Sequence, residues 1–158
     1  MRARRAFLAL WTAVVVLKAI VAVFLPPFVD EAFYWQEGQH LAWAYSDLPG
    51  LTAWLTRLGV AIGGDNTLAL RAPFLLVAAC LPWLVARITA REFDPGQGWM
   101  AGIYAMLLPL LGTLGVLAVP DAAMTLATLL CMDAGTRLLR GVTAGAAVEL
   151  AVGLAIGG

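Results

Sequence analysis

Residues 6–25 form an apolar run of about twenty residues, the length one α-helix needs to cross the hydrocarbon of a bilayer. No other feature constrains the fold as strongly. Arg2, Arg4 and Arg5 stand before the run, Lys18 interrupts it, and Pro26-Pro27 closes it. A segment surrounded by lipid must satisfy its own backbone hydrogen bonds, so the run is expected to be a helix. Basic residues ahead of an apolar core also suit a secretory signal. Lys18 inside the core, with no small-x-small cleavage site behind it, reads instead as an uncleaved anchor.

Further apolar runs occupy residues 68–88, 99–119 and 122–139, and a fifth begins at 144–158. The expected fold is all-α: a polytopic membrane helical bundle, with residues 1–158 as a single transmembrane module. The last run offers only about fifteen residues, short of a comfortable span, so the chain reads as the amino-terminal part of a longer protein. Composition agrees, with 62% apolar and 13% charged residues against about half and a quarter in soluble domains. Net charge is zero and no basic patch is present, so no nucleic-acid partner is expected. Cys80 and Cys131 fall inside apolar runs and read as buried thiols rather than a disulfide. Gly98 with Gly102, and Gly141 with Gly145, fit the small-residue spacing of packed membrane helices.

If the spans alternate in direction, Arg2, Arg4, Arg5, Arg87, Arg91, Arg137 and Arg140 share one side, which the positive-inside rule makes cytoplasmic. Asp30, Glu31, Glu37, Asp47, Asp65 and Asp121 then face the exterior. The expected setting is a bacterial inner (plasma) membrane, with the amino terminus cytoplasmic and the outer loop 27–67 periplasmic or external. Trp35, Trp43, Trp54, Tyr34 and Tyr45 suit the headgroup level of that loop. Residues 30–45 are expected as an amphipathic surface helix, Asp47-Leu48-Pro49-Gly50 as a turn, and residues 51–62 as a second short helix carrying Arg57.

Val29-Asp30-Glu31-Ala32-Phe33-Tyr34-Trp35 sets an acidic pair among aromatics directly after the first span. Ionised groups beside hydrocarbon are costly and tend to be kept for function. The plainer reading makes Asp30 a helix cap with Glu31 in the first turn, and Asp121 after Pro120 a helix start. Arg57 suits a headgroup phosphate, and Arg71 suits a pair with Asp65. His40 stands alone, with no second ligand at metal spacing.

Asp30-Glu31-Ala32-Phe33-Tyr34-Trp35, Tyr45 to Leu55 with Asp47-Leu48-Pro49-Gly50, Gly64-Asp65-Asn66, Leu70-Arg71-Ala72-Pro73 and Val119-Pro120-Asp121-Ala122 follow one another in that order. The ordered set resembles the protein mannosyltransferase-related family of integral membrane glycosyltransferases of GT-C type. Its bacterial members include lipid A aminoarabinose transferases and lipopolysaccharide glycosyltransferases. The resemblance runs from about Phe7 to the end and spans the amino-terminal third or so of a family member. It implies transfer of a hexose or pentose, with inversion, from a polyprenyl-phosphate-linked donor to a lipid, glycan or protein acceptor on the outer face. By this resemblance Asp30 matches the acidic residue of the first loop, taken as the catalytic base or acceptor-orienting group, Glu31 completes the catalytic pair, and Asp121 matches the acidic residue of the second outer loop.

The family often carries a basic residue or His and then Pro-Pro after the position of Asp47, whereas Leu48-Pro49-Gly50 stands here. A phosphate leaving group calls for a cation, and Arg57 and Arg71 are the two basic residues assigned to the outer side. Expected substrate contacts are therefore Tyr34, Asp47, Arg57 and Arg71. A divalent metal on Asp30, Glu31 and Asp121 is compatible with carboxylate chemistry and stays open. The alternatives are a small multi-span transporter or channel subunit with Lys18, Asp133 and Glu149 along its path, or an inactive truncated transferase. A transporter places its essential charges near mid-membrane, whereas most acids here lie outside.

Overall fold

The computed structural model describes residues 2–43, 45 and 50–157. These form eight helices: α1 (Arg2–Phe24), α2 (Val29–Gln39), α3 (Leu51–Gly63), α4 (Thr67–Glu92), α5 (Pro95–Leu107), α6 (Pro109–Thr113), α7 (Pro120–Leu138) and α8 (Ala144–Gly157). The described residues contain no strand, and the chain is an all-α membrane helical bundle.

Helices α1 and α4 are long and apolar enough to cross a membrane. Their 23 and 26 residues extend about 34 and 39 Å at 1.5 Å per residue. Val16, Leu17, Ile20, Val23 and Phe24 of α1 are all exposed, which suits a helix whose outer face meets lipid. The inner face is fastened by aromatics: the Phe7 ring meets Trp83 edge-on at 4.8 Å and Trp99 at 5.2 Å, joining α1, α4 and α5. Trp11 adds a hydrogen bond from Nε1 to the Ala79 carbonyl at 2.8 Å.

Asn66 caps α4 by accepting from the Ala69 N–H at 2.9 Å. Pro73 lies inside α4 and cannot donate to the carbonyl four residues before it, that of Ala69. Helix α3 packs at this carbonyl, so closely that a Cβ on Gly59 would stand 2.1 Å from it. Gly98 and Gly102 likewise let α5 approach, since a Cβ on Gly98 would lie 2.6 Å from the Ala86 carbonyl and one on Gly102 2.5 Å from the Phe7 ring. Gly141 has nothing within 4 Å, so that pair makes no comparable approach.

Residues 99–119, expected as one span, are not one helix. Asp94 caps α5 four residues earlier than expected, accepting from the Gly96 and Gln97 N–H groups at 2.7 and 3.1 Å. The helix then stops at Leu107, and Leu108 is extended (φ −68°, ψ 131°). The cause is Pro109, which lacks an N–H and pushes the residue before it out of the helical region. After the short α6, residues 114–119 run as a non-helical strap across α4. Gly115 has φ +81°, and a Cβ there would meet the Phe74 carbonyl at 2.5 Å, so the strap requires glycine.

Glu149, Asp133 and their arginines gather at the carboxyl end of α4. Asp133 pairs with Arg91 at 2.5 Å and Arg87 at 2.8 Å, Arg137 pairs with Glu149, and Arg140 with Glu92 at 2.6 Å. Lys18 is elsewhere, bonded to the carbonyls of Leu111 and Leu114. The three groups that a transport path would need are thus each satisfied within the bundle, Lys18 apart from the Asp133 and Glu149 cluster.

Candidate functional site

The amino end of α4 delivers Arg71 into the turn between α1 and α2. Its side chain is fully buried, and all five N–H donors are used. Nε and Nη2 bond the Glu31 oxygens at 2.7 and 2.5 Å, Nη1 bonds the carbonyls of Ala22 and Leu25 at 2.7 and 2.8 Å, and Nη2 also bonds Pro26 at 3.0 Å. Pro26-Pro27 ends α1 without N–H groups to return, so the terminal carbonyls need an outside donor. Arg71 supplies it.

Glu31 is equally committed. Beyond Arg71, Oε2 accepts from the Phe28 N–H at 2.9 Å and Oε1 from the Ala118 N–H at 2.9 Å. Burial alone would raise this carboxyl, but the hydrogen bonds from Arg71, Ala118 and Phe28 and the Arg71 charge outweigh it and hold the group below its ordinary 4.5. The expectation that Glu31 joins Asp30 in a catalytic pair meets this geometry: its four acceptor positions are filled, leaving none for a substrate proton or a metal. Likewise Arg71 pairs with Glu31 rather than Asp65, and it has no donor left for a phosphate. A metal set of Asp30, Glu31 and Asp121 does not fit, and among the described residues no three His, Cys, Asp or Glu side chains gather as ligands.

Asp30 and Asp121 are placed differently. Asp30 lies in the first turn of α2 and Asp121 in the first turn of α7, where the helix dipole favours a carboxylate. Both are exposed. Among the described residues neither side chain makes a hydrogen bond or ion pair. Tyr34, one turn after Asp30, joins them: its phenol is pushed up by burial and by the charges of Asp30, Glu37 and Asp121.

The rest of the loop steadies this end. Thr56 Oγ1 donates to the Tyr34 carbonyl at 3.1 Å and to that of Ala53 at 2.8 Å, fastening α3 to α2. Helix α2 stops at Gln39, short of the expected residue 45, where the Tyr45 hydroxyl reaches the Glu37 and His40 carbonyls at 3.0 and 2.9 Å. Arg57 is exposed, with Nη1 bonding Gln39 Oε1 at 3.2 Å. Trp43 and Trp54 form an exposed edge-on pair at 5.1 Å. Trp35, expected at the headgroups, packs instead against Leu70, Phe74, Ala118 and Ala122. Asp47 lies outside the described residues.

An all-α bundle with two helices long and apolar enough to cross a bilayer defines the class as a membrane helical protein. The model of the dolichyl-phosphate-mannose-protein mannosyltransferase family matches residues 47–157, and the chain belongs to that family. It is of the GT-C class of membrane glycosyltransferases. The matched stretch contains Arg57, Arg71 and Asp121, whereas Asp30 and Glu31 precede it. No curated protein and no solved structure matches the chain.

Proposed function

We propose that this chain carries the catalytic outer-face portion of a glycosyltransferase that moves a sugar, with inversion, from a polyprenyl-phosphate donor to an acceptor hydroxyl. The observation that carries this reading is that Asp30 and Asp121, each without a hydrogen bond or ion pair among the described residues, begin two helices that the Glu31–Ala118 hydrogen bond ties together beyond the amino end of α4. Asp30 takes the acceptor proton as the acceptor oxygen bonds to the anomeric carbon. The bond from that carbon to the phosphate oxygen breaks, and its electron pair leaves with the phosphate. Asp121 orients the acceptor or donor, and Tyr34 offers a neutral hydroxyl to the sugar. Arg57 is the available outer cation for the phosphate, since Arg71 is spent within the fold. Asp47 remains a proposed substrate contact. The Glu31–Arg71 pair holds α1, α2, α4 and the strap in place and does no chemistry itself.

The reading is tested with Asp30→Asn and Asp121→Asn in the full-length protein in membranes, supplied with a polyprenyl-phosphate sugar. Asp30→Asn is expected to insert normally and to lose transfer by about a hundredfold to ten-thousandfold, the range of general-base help. Undiminished transfer would overturn the base assignment, and undiminished transfer by Asp121→Asn would remove that residue from the site.

A further inference from the structure

Lys18 is 8% exposed within a membrane-length helix, a position where an ammonium is costly and usually kept for function. Its Nζ donates to the Leu111 carbonyl at 2.9 Å and to the Leu114 carbonyl at 2.8 Å. Both carbonyls lie where α6 gives out, and among the described residues no backbone N–H returns to either. The same strap is held at its far end by Glu31, through the Ala118 N–H at 2.9 Å. Between the two clamps Gly115 presses it onto the Phe74 carbonyl. Asp121 follows three residues after Ala118, in the first turn of α7.

We propose that Lys18 is a positioning residue for Asp121: by fixing the strap at its α6 end it determines where α7 begins and where the Asp121 carboxylate points. The role rests on the proposed function of Asp121, and Lys18 acts through the strap rather than on substrate. The two clamps divide the work. Glu31 sets the depth of the strap at Ala118, and Lys18 sets its path from the end of α6, so release of either leaves the strap with one of its two polar clamps.

The test compares Lys18→Met, Asp121→Asn and the double variant in membranes, reading kcat and KM for the polyprenyl-phosphate sugar. Lys18→Met is expected to lower kcat by up to about a hundredfold, the scale of an ångström of misplacement, with the donor KM little changed. The double variant should then be no slower than Asp121→Asn alone. Independent, multiplying losses would overturn the proposal, as would unchanged kcat in Lys18→Met. If Asp121→Asn itself retains full kcat, the proposed site fails, a result distinct from multiplying losses. Should Lys18→Met not accumulate in the membrane, Lys18→Arg keeps the charge and the donors. Full rescue of the rate, or a loss that vanishes in the Asp121→Asn background, is expected from it, and an equal loss in both backgrounds overturns the role.

Discussion

At the scale of single residues, the Glu31–Arg71 pair decides what its neighbours can do. Each side chain spends its whole hydrogen-bonding capacity inside the fold, so removing one partner strands the other in a buried site. Losing one member of such a pair costs about 3–5 kcal/mol. Glu31→Gln and Arg71→Met are both expected to lower the thermal unfolding midpoint of the purified protein strongly, and an unchanged midpoint in either would contradict the buried pairing. The pH dependence has a definite sign. The Glu31 carboxyl titrates below its ordinary 4.5 in the folded state, so the unfolded chain binds the proton first as pH falls. Its stabilisation is complete above that value and is lost as pH drops through the lower, folded one. The acid-side fall in midpoint should flatten in Glu31→Gln. This pairing was hidden in the sequence because the partners stand 40 residues apart and Asp65 is nearer to Arg71. A signal was nonetheless present: an arginine at the start of an apolar helix needs a buried acceptor, and Pro26-Pro27 beside Glu31 marks carbonyls that need a donor.

Among the elements, the two long helices were readable because apolar length alone specifies them, and α1 and α4 lie within a few residues of the runs that announced them. The third apolar run misled for a physical reason. Leucine-rich composition reports solvent preference, while Pro109 and Gly115 determine whether the backbone stays helical, and only the latter pair produces α6 and the strap. Helix α2 misled in another way, since its tryptophan has a headgroup composition but its position against α4 and α7 half-buries it. Close backbone approach gives the element-scale prediction. Gly59→Ala must push α3 away from the Ala69 carbonyl that Pro73 leaves without a helical donor. Overpacking of this kind costs about 1–3 kcal/mol. Gly141→Ala, with open space around it, is the matched control. Midpoints that shift equally in the two variants would contradict the α3–α4 contact.

For the whole molecule, charge sorting and geometry separate the arginine cluster and the outer-loop carboxylates to opposite ends of α4. Of the seven arginines assigned to the cytoplasm, Arg2, Arg4 and Arg5 lie at the start of α1, and the other four, Arg87, Arg91, Arg137 and Arg140, join the ion-pair cluster with Asp133, Glu149 and Glu92. Asp30 and Asp121 lie beyond the other end of α4, next to its Arg71. The proposed chemistry requires this second end to face the exterior, where the acceptor waits, so topology tests the function independently of any assay. Trp43 and Leu139 are 88% and 90% exposed, at opposite ends of the bundle, and cysteine at either position disturbs little packing. A thiol reagent that cannot cross membranes should label Trp43→Cys in intact cells and Leu139→Cys only after permeabilisation. Cys80 of α4, exposed rather than buried, and Cys131 of α7, half-buried, are replaced by Ala beforehand to remove background. The reverse pattern would put both carboxylates on the cytoplasmic face, and the outer-face transfer reaction would fall with the orientation.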